Sequence, residues 1–394
     1  MTKVALISHS YVDSAYRGKL AYLAQATELR LVTPSWYPGP LGRYEIDFQL
    51  NSDVPVESYP VSFVNFNRTS TRWFLRSRDL GIAQFQPDII HVENESHSWI
   101  MCQALLYRRL FAPSAKIINF FWDNVAPAEQ ERKARVLERV AQFNRRFVDF
   151  FICGNSAAKE NLLGKGIPAS KMEILPQLGI DPDVFFPCPP LQREGFRREL
   201  GISQTEFVVG FVGRFVEEKG MLDLVEAVGR LKASSHRGRT LLLLGKGPLE
   251  ERVRGRAVKL GINVVILPSC RYQEVAATMN ALDVLVLPSR SRPFWKEQFG
   301  HVLIEAMACG VPVIGSDSGE IPNVIGDAGL IFREGNVEQL SECLRLCCDD
   351  VDLRLRLGRQ GLQRTLKNFT NQEIARRTLE IYERVIKPPD CCLA

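Results

Sequence analysis

Short runs of aliphatic and β-branched residues alternate along the chain with longer stretches whose apolar positions recur every three or four residues. In the first half the runs are KVALIS (3–8), LRLVT (29–33), PVESYPVSFV (55–64), DIIHV (88–92), KIINFF (116–121), VDFFIC (148–153) and MEILP (172–176). The second half carries EFVVGFVG (206–213), RTLLLLG (239–245), NVVILP (263–268), DVLVLP (283–288), VPVIGS (311–316) and GLIF (329–332). Runs apolar on both faces predict parallel strands covered by helices on either side. Residues 98–111 and 128–147 have helical periodicity, and 370–387 predicts a terminal helix opened by a Thr/Asn cap. Two such series in one chain predict an α/β protein with two doubly wound domains. Pro182, Pro187, Pro189 and Pro190 break regular structure between them. The expected division is 1–186, 187–369, and a terminal helix and tail over 370–394.

Composition narrows the class without naming it. At ~150 residues per domain, 394 residues make two to three domains. A chain 45% hydrophobic and 24% charged is neither disordered nor fibrous. A net charge of +5 makes no general case for nucleic acid. No apolar run approaches the ~20 residues of a membrane span. The opening MTKVALISHS reads as a strand, so a cytoplasmic location is expected. The ten cysteines include no C-x-x-C pair, and most sit among apolar neighbours as buried thiols. The tail CCLA fits a prenylation pattern at Cys391, but its second residue is Cys and nothing basic clusters beside it.

In open parallel sheets, chemistry gathers in the loops after the strands. The stretch GRFVEEKG (213–220) follows one strand and leads into a helix. Gly213 makes the turn, and Arg214 and Lys219 are cations where the helix dipole disfavours them unless an anion binds. They suit a diphosphate that gains charge as it leaves. The alternative is two solvated surface cations. The loop PFWKEQFGHVLIE (293–305) follows the strand DVLVLP. Gly300 would let the backbone approach a ligand closely, and a helix beginning there would present the free amides around His301 and Val302 to an anion. Glu297 in the loop and Glu305 in the helix are too far apart for one ring, so one would hold the transferred sugar and the other a ribose.

These motifs, with the continuation EAMACGVPVIGSDSGEIPNVIGDAGLIF, resemble the donor half of retaining family 4 glycosyltransferases with the GT-B fold. The resemblance covers most of 205–385. It implies two Rossmann-like domains facing across a cleft, with the terminal helix crossing back. It also implies that Arg214 and Lys219 contact the donor diphosphate, that Glu297 contacts the transferred sugar, and that Glu305 takes the ribose hydroxyls. The backbone from Phe299 to Val302 would hold phosphate, and His301 would add a side chain there. The family needs no metal, so no metal site or cofactor is expected. The donor is expected to be a UDP- or GDP-linked sugar. Asn323 stands where relatives often carry Glu. The literal D-x-D at Asp181-Pro182-Asp183 reads as linker.

The first half is less explicit. Gly18 opens a helix after the first strand and would let backbone approach the donor, with Arg17 and Lys19 beside it. ENESHSW (93–99) brings Glu93, Glu95 and His97 to a strand end, as acceptor contacts or as caps. Many members place a His in the loop WDNVAP (122–127). Here Trp122 and Asp123 occupy it, to stack on a sugar or bond its hydroxyls, or as a buried ring and its cap. Residues 131–146 hold six basic and two acidic side chains and suit either a solvated helix face or the inner face of a membrane. Arg68, Arg72, Arg76 and Arg78, around Trp73 and Phe74, make a second patch. The expected function is a retaining, metal-independent transfer from a nucleoside diphosphate sugar to a glycan or lipid-linked acceptor, with no nucleic-acid partner. A nucleotide-sugar epimerase and a non-catalytic nucleotide-sugar-binding protein are the alternatives.

Overall fold

The computed structural model describes residues 1–39, 42–46, 54–63, 73–125, 132–231, 238–268 and 272–387. Arg68, Arg72, Glu131, Cys270 and the CCLA tail lie outside the described residues. The chain divides into two compact units: Met1–Gly179 with Asn371–Ala394, and Ile180–Thr370.

The first unit is built on seven parallel strands: β1 (Thr2–Ser8), β2 (Thr27–Pro34), β3 (Val56–Tyr59), β4 (Ile89–Glu93), β5 (Lys116–Phe121), β6 (Phe150–Cys153) and β7 (Met172–Ile174). Their spatial order is β7-β6-β5-β4-β1-β2-β3. The second unit has β8 (Phe207–Val212), β9 (Arg239–Leu244), β10 (Asn263–Leu267), β11 (Val284–Leu287), β12 (Val313–Ser316) and β13 (Gly329–Phe332), in the order β10-β9-β8-β11-β12-β13. In each parallel sheet the strand order reverses between the first and fourth strands, β1/β4 and β8/β11. At such a reversal the loops at the carboxyl ends part and leave room for a ligand. The two halves share the doubly wound α/β architecture expected of them.

Period-two alternation decides what each face of the first sheet meets. Ile7, Val32, Ile90 and Val92 pack with Ile100, Met101 and Ile117 on one side. Val4, Leu6, Ile89 and Ile118 pack on the other with Leu20, Leu23 and four residues of the terminal helix Asn371–Ile386: Ile374, Ala375, Ile381 and Tyr382. That helix, expected as a separate terminal segment, therefore completes the core of the first unit. The chain enters and leaves the second unit side by side, where Ile180 bridges Thr370 and its amide donates to the Phe369 carbonyl at 2.9 Å.

Two local readings change. The run 55–64 is not one strand: Pro60 lacks an amide for the ladder and separates β3 from Val61–Phe63, which pairs antiparallel with Trp73–Leu75. The proline-rich segment does not exclude a helix. Pro190 opens the helix Pro190–Glu199, because the first helical position has no hydrogen bond for proline to lose. The unit boundary falls at 179/180, before that segment.

Candidate functional site

In the second unit, the loops after β8 and β11 meet as their position predicts. Arg290 ties them together: its guanidinium donates twice to Asp223 at 2.5 Å, and its amide donates to the Glu218 carbonyl at 2.8 Å. This brings Lys219 onto Glu297, Nζ to Oε2 at 2.6 Å. The Ser289 hydroxyl donates to the same oxygen at 2.7 Å, and Lys219 Nζ stands 5.1 Å from the Trp295 ring centre. Glu297 is buried, and its carbonyl accepts the Glu320 amide at 3.1 Å. Gly319 makes this seat possible: with φ +56°, a Cβ there would lie 2.0 Å from the Glu297 carbonyl oxygen. Arg214 is exposed at the rim of the same loop, 3.7 Å from Glu218.

Gly300, at φ +80°, caps the helix His301–Ala308, whose first amides have no intrahelical partner. Phe299 is buried beside Phe369. One turn on, Glu305 Oε1 meets His301 Nδ1 at 3.0 Å, while His301 Nε2 is buried with no hydrogen-bond partner. Gly213, Arg214, Lys219, Glu297, Gly300, His301, Val302 and Glu305 thus stand on the two loops flanking one strand reversal and on the helix that the second loop enters. Ser289, Trp295, Gly319 and Glu320 were not singled out from sequence. They fix Glu297 or Lys219 through contacts that no local motif displays.

The first unit departs from expectation. Arg17 is buried and donates to the carbonyls of Tyr11 (2.8 Å) and Val12 (3.2 Å), so it shapes its own loop. Gly18 packs against the terminal helix: a Cβ would lie 2.4 Å from Asn371 Nδ2, which would have to move aside. Glu93 is a core carboxylate. It accepts from Lys19 Nζ (3.0 Å), Tyr11 OH (3.1 Å) and Gln177 Nε2 (2.7 Å). Burial opposes its ionisation, but Lys19 and the Gln177 bond outweigh it and hold the carboxyl below its ordinary range. On the same strand His91 Nδ1 meets Tyr382 OH at 2.8 Å. Burial lowers both His91 and His9 to about 4.

Closer to solvent, the Trp122 amide donates to Glu95 Oε1 at 3.1 Å and the indole nitrogen to Gln177 at 3.3 Å. The ring rests on Phe120 at 5.0 Å. Asp123 Oδ2 lies 3.9 Å from His97 Nδ1. Burial, then the charge of Asp123, pushes the Glu95 carboxyl well up; burial also raises Asp123 and lowers His97. Among the described residues no group of three or more His, Cys, Asp or Glu side chains is placed to hold a metal ion. In the basic helix Arg132–Arg145, Arg145 turns inward to Glu138, so it does not belong to an outer charged face.

Comparison with known proteins matches both halves. Residues 192–364 match the family profile of glycosyl transferases group 1, and residues 20–184 that of glycosyltransferase family 4. The GDP-mannose-dependent monoacylated alpha-(1-6)-phosphatidylinositol monomannoside mannosyltransferase of Corynebacterium glutamicum is 34% identical over 46% of this chain and 49% of its own. The 2-deoxystreptamine N-acetyl-D-glucosaminyltransferase of Streptomyces fradiae is 27% identical over 72% and 71%. The alignment spans about half the length of the first curated relative and more of the second. Among solved structures, Anabaena Alr3699/HepE in complex with UDP superposes with a TM-score of 0.73 at 18% identity, covering 97% of this chain and 100% of the other. Sucrose-phosphate synthase from Thermosynechococcus elongatus gives 0.71 at 20%, covering 98% and 99%. At these identities the likeness is one of fold.

Proposed function

Since the chain belongs to the group 1, family 4 glycosyltransferases of GT-B fold, we propose that it transfers a sugar from a UDP- or GDP-linked donor to a hydroxylated acceptor, with retention and without a metal. The second unit takes the donor. Lys219 and Arg214 meet the diphosphate, with the amides of His301 and Val302. Glu305 accepts the ribose hydroxyls. Glu297 accepts from the transferred sugar when Lys219 turns from the carboxylate to the phosphate. The observation that carries this reading is the Lys219–Glu297 pair, held by Ser289 beside a helix N-terminus at the strand reversal.

Chemically, the donor's anomeric carbon–oxygen bond breaks and the electron pair leaves on the diphosphate. Lys219, Arg214 and the helix amides stabilise that charge. The acceptor oxygen bonds to the anomeric carbon on the same face, and a donor phosphate oxygen takes its proton. A covalent sugar trapped on an enzyme carboxylate would refute this step. The first unit takes the acceptor, a glycan or lipid-linked sugar, near Trp122, Asp123 and His97. No helix among the described residues is long and apolar enough to cross a membrane. Peripheral contact through 131–146, at the cytoplasmic face, is supported by Val136 and Phe143, which are exposed on that basic helix.

The test is a thermal-shift panel of nucleotides and nucleotide sugars, followed by transfer assays with the donor that binds. At a hundred times its dissociation constant a ligand adds ~2.7 kcal/mol of stability. An empty panel overturns the proposal. Conversion of donor without acceptor would favour an epimerase, and binding without any conversion a non-catalytic protein.

A further inference from the structure

The first unit holds a pair of carboxyls that the donor machinery does not use. Glu95 follows β4 and Asp123 follows β5, so two neighbouring parallel strands deliver them to one rim of the sheet. Glu95 is 8% exposed. Its Oε1 is satisfied by the Trp122 amide, but its Oε2 is buried with no hydrogen-bond partner. Asp123, whose backbone and side chain both act on the Glu95 carboxyl, reaches solvent with a side chain 38% exposed.

Among the described residues, the other ionisable groups around the pair do not neutralise it. His97 is kept largely uncharged by burial. Lys165 donates to Glu138 at 3.0 Å, and Arg145 pairs with that same carboxylate. Two coupled carboxyls with no dedicated cation among the described residues hold a proton between them. A hydroxyl ligand gives Asp123 one hydrogen bond and brings no charge to replace the shared proton. An ammonium group brings three donors and the missing charge. An anionic ligand is repelled.

We infer that Glu95 and Asp123 select an acceptor bearing a protonated amine, an amino sugar or amino polyol, over its hydroxyl counterpart. The inference rests on the reading that the first unit takes the acceptor. Binding is balanced by one proton: the ammonium enters, the proton shared by the carboxyls leaves to solvent, and both carboxylates stay ionised against the cation. Asp123 contacts the amine, while Glu95 acts through Asp123 as a positioning residue.

The test is calorimetric titration of the full chain at pH 7 with two matched pairs, glucosamine against glucose and streptamine against scyllo-inositol. Each is run in buffers of different ionisation heat, with nucleotide binding measured separately. The amine should bind at least tenfold more tightly than its counterpart and release about one proton. Asp123→Asn should abolish the preference. Glu95→Gln should abolish the proton release while leaving nucleotide binding intact. Equal affinities, a preference that survives Asp123→Asn, or no binding of either pair by a protein that still binds nucleotide would each overturn the inference. Loss of nucleotide binding with the amine preference intact would count against the donor site instead.

Discussion

The two units place a lysine–glutamate pair at the same topological point and put it to different use. In each, the lysine follows the first strand of the sheet and the glutamate stands at or after the fourth. Lys19–Glu93 spans 3.0 Å with side chains 3% and 0% exposed; Lys219–Glu297 spans 2.6 Å with 15% and 9% exposed. The first pair is closed over by Tyr11, Gln177 and the terminal helix. The second has Ser289 behind it and Trp295 beside it, and both partners stay within reach of solvent. A strand reversal therefore supplies a place for a charged pair, and the covering decides whether the pair ties a core or awaits a ligand.

The largest effect expected from breaking this contrast is on stability. Lys19→Met leaves a buried, uncompensated Glu93 and should cost ~3–5 kcal/mol, read from urea midpoints. The matching change, Lys219→Met, should leave the midpoint nearly unmoved and lower turnover by ~10²–10³-fold. Equal stability losses in the two variants would erase the distinction.

Acid should sharpen it. His9 and His91 have folded pKa values of about 4 against an ordinary 6.5. The unfolded chain binds more protons between those values, so their contribution is complete above pH 6.5 and is lost as pH falls toward 4. Glu93, held low, adds a loss that begins nearer its ordinary value of 4.5. Glu95, held high by burial, works in the opposite direction, so Glu95→Gln removes that offset. The first unit should lose ~2–4 kcal/mol over that window by urea titration at stepped pH. A flat profile would mean that the two imidazoles are not buried as described.

The smallest effects separate the two donor carboxylates. Glu305→Ala should weaken bare UDP or GDP by ~10–30-fold, the loss of hydrogen bonds to a charged acceptor. Glu297→Ala should change bare nucleotide affinity less and turnover more. If bare nucleotide affinity ignores Glu305, the ribose assignment is wrong.

Much of this contrast was visible in the sequence on one side only. KVALIS and DVLVLP announce buried strands, and GRFVEEKG and KEQFGHVLIE carry cations, carboxylates and glycines in short, ordered motifs. ENESHSW also carries carboxylates at a strand end, yet its first carboxylate is core. The groups that bury it come from 74 and 84 residues away, and the tyrosine on His91 from 291 residues away. Charged residues at a strand end read as solvent-facing until such distant partners are placed. Gly18 shows a related limit of one dimension: a glycine that makes room for a ligand and one that packs against Asn371 look alike in sequence.

The return of the last helix to the first unit makes the two halves unequal as pieces. Residues 180–370 form a continuous stretch whose ends meet, so that half can be expressed as a single excised fragment. The other half has no contiguous equivalent: cutting the chain after Gly179 strips a wall from its interior, and a C-terminal truncation past Asn371 is an internal wound, not a trim.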